Sequence, residues 1–127
     1  MSLDFEPAAV HIDHTFEERV TFEESWVWTD EDGNPVDLSN YTAADAHFRD
    51  VDDDSLLLAL SLNSGIYLGT TDGLVTIRID HALLTNLNWD RSVYDMIVIG
   101  PINATYPSGQ STKLMYGEGN VFHSRTK

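Results

Sequence analysis

The stretch from Arg19 to Tyr41, RVTFEESWVWTDEDGNPVDLSNY, narrows the possible folds more than any other, because it holds a strand, a reversal and a restart in unbroken order. Val20, Phe22, Trp26 and Trp28 share one parity, and Arg19, Thr21, Glu23 and Ser25 share the other. That is the two-residue period of a strand with one buried face. Glu24 interrupts the apolar parity and is expected to mark a bulge or a strand end. Asp30-Glu31-Asp32-Gly33-Asn34-Pro35 then supplies a glycine for positive φ, carboxylates that accept from nearby backbone N–H groups, and a proline that cannot donate to a ladder. The chain reverses there. A short extended segment is expected from Val36 to Tyr41, followed by a strand with Thr42, Ala44, Ala46 and Phe48 on one face.

The same alternation recurs downstream. Ser55 to Leu62 reads as a strand by its length and by the Asn63-Ser64-Gly65 turn that follows, although its leucines also suit a helix. Ile66 to Gly69 and Val75 to Ile79 read as strands separated by the turn Thr70-Thr71-Asp72-Gly73. Asp80 is a good N-cap for one or two helical turns over His81 to Leu87. Lys113 to Tyr116 re-enters a strand that runs out through Phe122. Short strands with carboxyl-to-glycine turns between them predict an all-β chain, an antiparallel Ig-like β-sandwich of about seven to nine strands with one short helix. With 127 residues, a single domain is expected over 15–127, preceded by an arm or edge strand over 1–14.

One strand does not fit a half-wet sheet. From Ser92 to Pro101, Tyr94, Met96 and Val98 are apolar on one parity and Val93, Ile97 and Ile99 on the other. A strand apolar on both faces is covered on both, here by a loop or by a second subunit. Val93, Ile97 and Ile99, with Phe5, Val10 and Ile12 of the arm and Tyr106 and Pro107 of the polar tip 103–111, are therefore the candidate interface residues.

The run Trp28-Thr29-Asp30-Glu31-Asp32-Gly33-Asn34-Pro35-Val36-Asp37-Leu38-Ser39-Asn40-Tyr41-Thr42-Ala43 also resembles the W-x-D-x-x-G-x-P-V-D-L-[ST]-x-Y-x-A pattern of small β-sandwich proteins encoded among the virion genes of tailed bacteriophages. The segments Thr71 to Ile77, His81 to Leu87 and Val93 to Val98 are similar to the strand, helix and strand that follow it in those proteins. At Glu118-Gly119-Asn120 the chain departs from their regular alternation, so a bulge or bent edge is expected there. The resemblance implies a virion structural protein, a tail, baseplate or head-to-tail component, with other virion proteins as partners and a homo-oligomeric assembly. A head decoration protein is the alternative within the same context. Synthesis in the host cytoplasm followed by residence in the virion is the expected localisation.

Composition supports the absence of several chemistries. Seven Lys and Arg against 21 Asp and Glu give a formal charge of −14, a field that repels phosphate backbones and anionic lipid. Neither a nucleic-acid nor a membrane partner is expected, and no apolar run reaches membrane-spanning length. Without cysteine there is no disulfide, thiolate metal site or cysteine nucleophile. Calcium binding is the cofactor alternative, through Asp30 and Asp32 joined to Asp52, Asp53 and Asp54, but the spacing fails the EF-hand register and plain turns explain the same residues. His11 and His14 stand three apart, which puts them on opposite faces of a strand rather than on one metal. Trp26, Trp28 and Trp89 could serve a carbohydrate-binding module, yet two of them share the inward parity of their strand. His47 with Asp45 and His81 with Asp80 are acid–base pairs without a nucleophile, and the chain is not expected to be an enzyme.

Overall fold

The computed structural model describes residues 4–5, as backbone, and 9–123 with their side chains. Ten strands occur in the order β1 (Asp4–Phe5), β2 (Val10–His11), β3 (His14–Glu17), β4 (Phe22–Trp28), β5 (Ala43–Asp50), β6 (Leu56–Leu62), β7 (Gly65–Leu68), β8 (Leu74–Ile79), β9 (Arg91–Ile99) and β10 (Ser111–Phe122). The chain is all-β, as its alternation predicts. Among the described residues the expected helix is a single 3-10 turn, His81–Leu84, capped by the Asp80 carboxylate accepting from Ala82 N at 2.8 Å.

The two-sheet antiparallel sandwich is corrected to one curled, mixed sheet. Every strand belongs to a single hydrogen-bonded order, β1-β4-β8-β7-β6-β5-β9-β10-β2, with β3 also on β10. β2 and β3 run parallel to β10 in one register, Val10 opposite Met115 and Phe16 opposite Val121, so together they form one outer strand. β1 runs parallel to β4, and β7 parallel to β6. Of the N-terminal segment, β1 is thus paired at one end of the strand order and β2 at the other.

The sheet curls into a half-barrel whose two ends face each other across one core. Phe16 on β3 meets Phe22 on β4 edge to face at 4.9 Å, although these strands lie at opposite ends of the order. No strand pairing joins β3 to β4 among the described residues, so side chains close this seam. Phe16, Trp26, Phe48, Ile66, Ile77, Leu84, Met96 and Met115 are fully buried within the curl.

Local sequence explains the details. On β9, Ser92, Tyr94, Met96 and Val98 point inward and Val93, Asp95, Ile97 and Ile99 outward. β4 pairs with β8 from Phe22–Ile79 to Val27–Leu74 without a register shift, so Glu24 marks neither a bulge nor a strand end. It is an inward-parity carboxylate on the stretch of β4 that β1 does not cover, and such a charge discourages another chain from adding there. The bulge expected at Glu118-Gly119-Asn120 lies instead between Lys113 and Met115. Leu114 and Met115 are consecutive and both buried, which strict alternation forbids. Gly119 has another cause: a Cβ there would stand 2.6 Å from Phe48 Cδ2. Val36 to Tyr41 is not a strand; Leu38 is buried and its N–H donates to Thr70 O at 2.8 Å.

Candidate functional site

The outer face of β5, β9, β10 and β2 carries an open groove of about 730 Å³. Strand register sets its side chains in rows. Arg49, Val93 and Glu118 form one, His47, Asp95, Tyr116 and His11 the next, and Asp45, Ile97 and Lys113 a third. The period of two that buries Tyr94 and Met96 puts Val93 and Ile97 on this face, where Val93 is 45% exposed and Tyr116 43%.

Two cations of this face pair with carboxylates, and a third donates to a backbone carbonyl. Lys113 Nζ lies 3.4 Å from Asp95 Oδ2, Arg91 Nη2 lies 3.3 Å from Glu118 Oε2, and Arg49 Nη1 donates to Asp54 O at 3.2 Å. His11 stacks on Tyr116 with ring centroids 5.2 Å apart, and its Nε2 is 3.0 Å from Asp13 Oδ1. The Glu118 N–H, bonded to Asp13, does most to hold that carboxyl below its usual range. The result is a face with apolar residues set among ion pairs.

The sequence-derived interface residues distribute unevenly. Val93 and Ile97 lie within this face. Ile99 is at its margin and half-covered by the chain's own tip, since a Cβ on Gly109 would stand 2.6 Å from Ile99 Cγ2. The loop expected over this strand therefore covers one end of it and leaves the other open. Val10 and Ile12 are half-buried and pack on the core. Tyr106 and Pro107 are exposed on the tip, with Tyr106 N bonded to Asn103 Oδ1 at 2.8 Å. Phe5 pairs in the sheet opposite Trp28, and its side chain lies outside the described residues.

The acidic residues are not brought together. Asp30 sits past the end of β4, and Asp52 to Asp54 past the end of β5. β4 is antiparallel to β8, β8 to β7 and β6 to β5, while β7 is parallel to β6, so the ends of β4 and β5 lie at opposite ends of the half-barrel. Asp30 Oδ1 accepts from Asp32 N and Asn34 N, Asp50 Oδ1 from Asp52 N, and Asp53 Oδ1 from Ser55 N, each a turn-closing bond. Among the described residues no group of three or more His, Asp or Glu side chains is placed to hold a metal. The fold thus keeps Asp30 and Asp32 apart from Asp52, Asp53 and Asp54.

The tryptophans belong to the core rather than to a sugar platform: Trp26 is fully buried, Trp89 nearly so, and Trp28 packs edge to face on Tyr41 at 5.7 Å. His81 and Asp80 are both exposed and 3.9 Å apart, and His47 and Asp45 share the outer face of β5. Sequence reasoning missed Tyr116 and His11 as partners, because their meeting depends on parallel pairing across more than a hundred residues. It also missed His14, which is 2% exposed with both ring nitrogens unpartnered.

No family model matches the chain, and no curated protein matches it. Solved structures do. The fold is similar to that of a phage protein domain. The N-terminal domain of phage TP901-1 ORF48 superposes with a TM-score of 0.53, covering 94% of this chain and 95% of that one at 6% identity. The likeness to the ORF48 domain is one of architecture, and it spans essentially the whole of both chains. Among the described residues no helix is long and apolar enough to cross a membrane.

Proposed function

We propose that the chain is a structural subunit of a phage particle, a tail or baseplate component that acts by assembling with further copies and with other virion proteins. The likeness to the N-terminal domain of phage TP901-1 ORF48, over 94% of this chain, is the observation that carries the reading. The outer face of β5, β9 and β10 is the contact surface in this reading, with Val93, Ile97 and Tyr116 as its apolar centre. Fully burying a Val or Ile side chain contributes roughly 1.5–3 kcal/mol, and Val93, 45% exposed, and the half-buried Ile97 add the part of this that corresponds to their remaining exposed surface. The paired charges around them fix register more than they add affinity. The work is assembly, with no turnover.

The test is incorporation into particles made from the genome that encodes the chain. Val93→Asp with Ile97→Asp is expected to leave the purified protein folded by circular dichroism and to remove it from purified particles. A folded variant that still incorporates at the wild-type level would remove this face from the reading, and absence of the wild-type chain from particles would remove the reading itself.

A further inference from the structure

The N-terminal edge strand places an ionisable group in the core without a partner. His14 lies among Phe16, Phe22, Trp26, Phe48 and Tyr94, with ring centroids 5.0 to 6.4 Å from its own. Neither of its nitrogens has a hydrogen-bond partner, and Trp26 Nε1 beside it has none either. An apolar ring would fill this site without the cost of an unpaired polar group.

The strand that carries His14 is held from one side. β2 and β3 pair with β10, and β3 has no strand on its other edge among the described residues. Its further attachments are the buried ring of Phe16 on Phe22 and Phe48, the His11 ring on Tyr116, and the bonds from Ile12 N to Tyr116 O at 2.9 Å, Val20 N to Glu17 O at 3.0 Å, Tyr94 Oη to Ile12 O at 2.6 Å and Glu118 N to Asp13 Oδ1 at 2.8 Å.

We propose that residues 10–17 form an acid-released strand, in which protonation of His14 expels β2 and β3 from the seam while the rest of the half-barrel stays folded. An imidazolium at this position loses its hydration and gains only ring faces in return, and the least costly way to rehydrate it is to free the one strand that bears it. The surrounding charges compensate it only in part: Asp13 favours the charged ring, by less than burial disfavours it. On its own strand Asp13 is the nearest carboxylate, and it is engaged by Glu118 N and His11. β4 contributes Glu24, whose charge acts on Tyr94, and β9 contributes Tyr94, whose proton is committed to Ile12 O. β5 presents Phe48 here and turns His47 and Arg49 to the groove, while β10 presents Gly119 and turns Glu118 to the groove. Release uncovers the backbone edge of β10 from Met115 to Phe122.

Amide hydrogen exchange at pH 7 and pH 4.5, corrected for intrinsic rates, tests this. Burial lowers the His14 pKa to about 4. Against an ordinary value in the released strand, opening of residues 10–17 is expected to rise on the order of 50-fold, with far smaller changes in β5 and β9. His14→Phe is expected to abolish the rise. Unchanged opening in the wild type, simultaneous loss of protection in all strands, or a rise that survives in His14→Phe would each overturn the proposal. Should His14→Phe fail to fold, proton resonances of the wild-type ring decide: a titration midpoint below 5 supports the strand release, and one above 6 overturns it.

Discussion

His14 and Gly119 face each other across β3 and β10, and each is explained by what crowds it. The core ring of Phe48 leaves no room for a Cβ at position 119, so Gly119→Ala is expected to cost about 1–3 kcal/mol through overpacking. Urea unfolding reads this directly, and an unshifted midpoint would mean that Phe48 gives way freely. For His14 the sign follows from proton binding. Its pKa is about 4 when folded and near 6.5 when unfolded, so the unfolded chain binds more protons between those values. Stability attributable to this site is therefore complete above about pH 6.5 and is lost as pH falls toward 4, by on the order of 3 kcal/mol in full. His123, whose pKa is raised chiefly by its bond to Asp90, acts with the opposite sign. The measurement is thus the difference between wild type and His14→Phe in the same buffers at pH 7 and pH 5. The variant is expected to lose less stability on acidification, and equal losses would contradict the sign.

At the scale of the element, β5 and β8 were legible from alternation, because each shows its burial locally, whereas β6 was legible only from its length and the turn after it. Ala44, Ala46 and Phe48 share a parity in the sequence and are the buried residues of β5. Pairing partners were not legible. Nothing local in Val10 to Glu17 records that it lies parallel to Met115 to Phe122, since a parallel partner is chosen by the tertiary fold. For the same reason the alternation could not separate two stacked sheets from one that curls, as both bury one face of each strand. Glu24 misled because its inward parity suggested a broken strand, whereas at an edge a charge is tolerated beside the open seam. The attachment of the N-terminal strand is testable at this scale. Tyr94→Phe keeps the ring against Phe48 at 4.6 Å and removes only the donor to Ile12 O. A loss of roughly 1 kcal/mol is expected, read as faster amide exchange confined to residues 10–17. Uniformly faster exchange would show that the bond supports the whole sheet.

For the whole molecule, the acidic charge and the half-open outer face pull in opposite directions. A charge of −14 opposes self-association, and salt screens it. The groove face offsets that repulsion locally by pairing Arg91 and Lys113 with carboxylates on neighbouring strands and by holding Arg49 on the Asp54 carbonyl of the following loop. Association through it is therefore expected to strengthen between about 10 mM and 150 mM salt, as the Debye length falls from roughly 30 to 8 Å. Sedimentation over that range checks it, and weaker association at higher salt would place attractive charge pairs between subunits instead. The apolar outer parity of β9 was legible in the sequence and led to the face; the cover over Ile99 was not, because it depends on how the tip folds back at Gly109.

The most direct measurement is the absolute mass of the purified chain in solution, across concentration, for wild type and for Val93→Asp with Ile97→Asp. A defined oligomer is expected in the wild type, and the paired substitutions are expected to convert it to a folded monomer. A wild-type monomer at every concentration, or an oligomer indifferent to both substitutions, would contradict assembly of copies through the outer face of β5, β9 and β10.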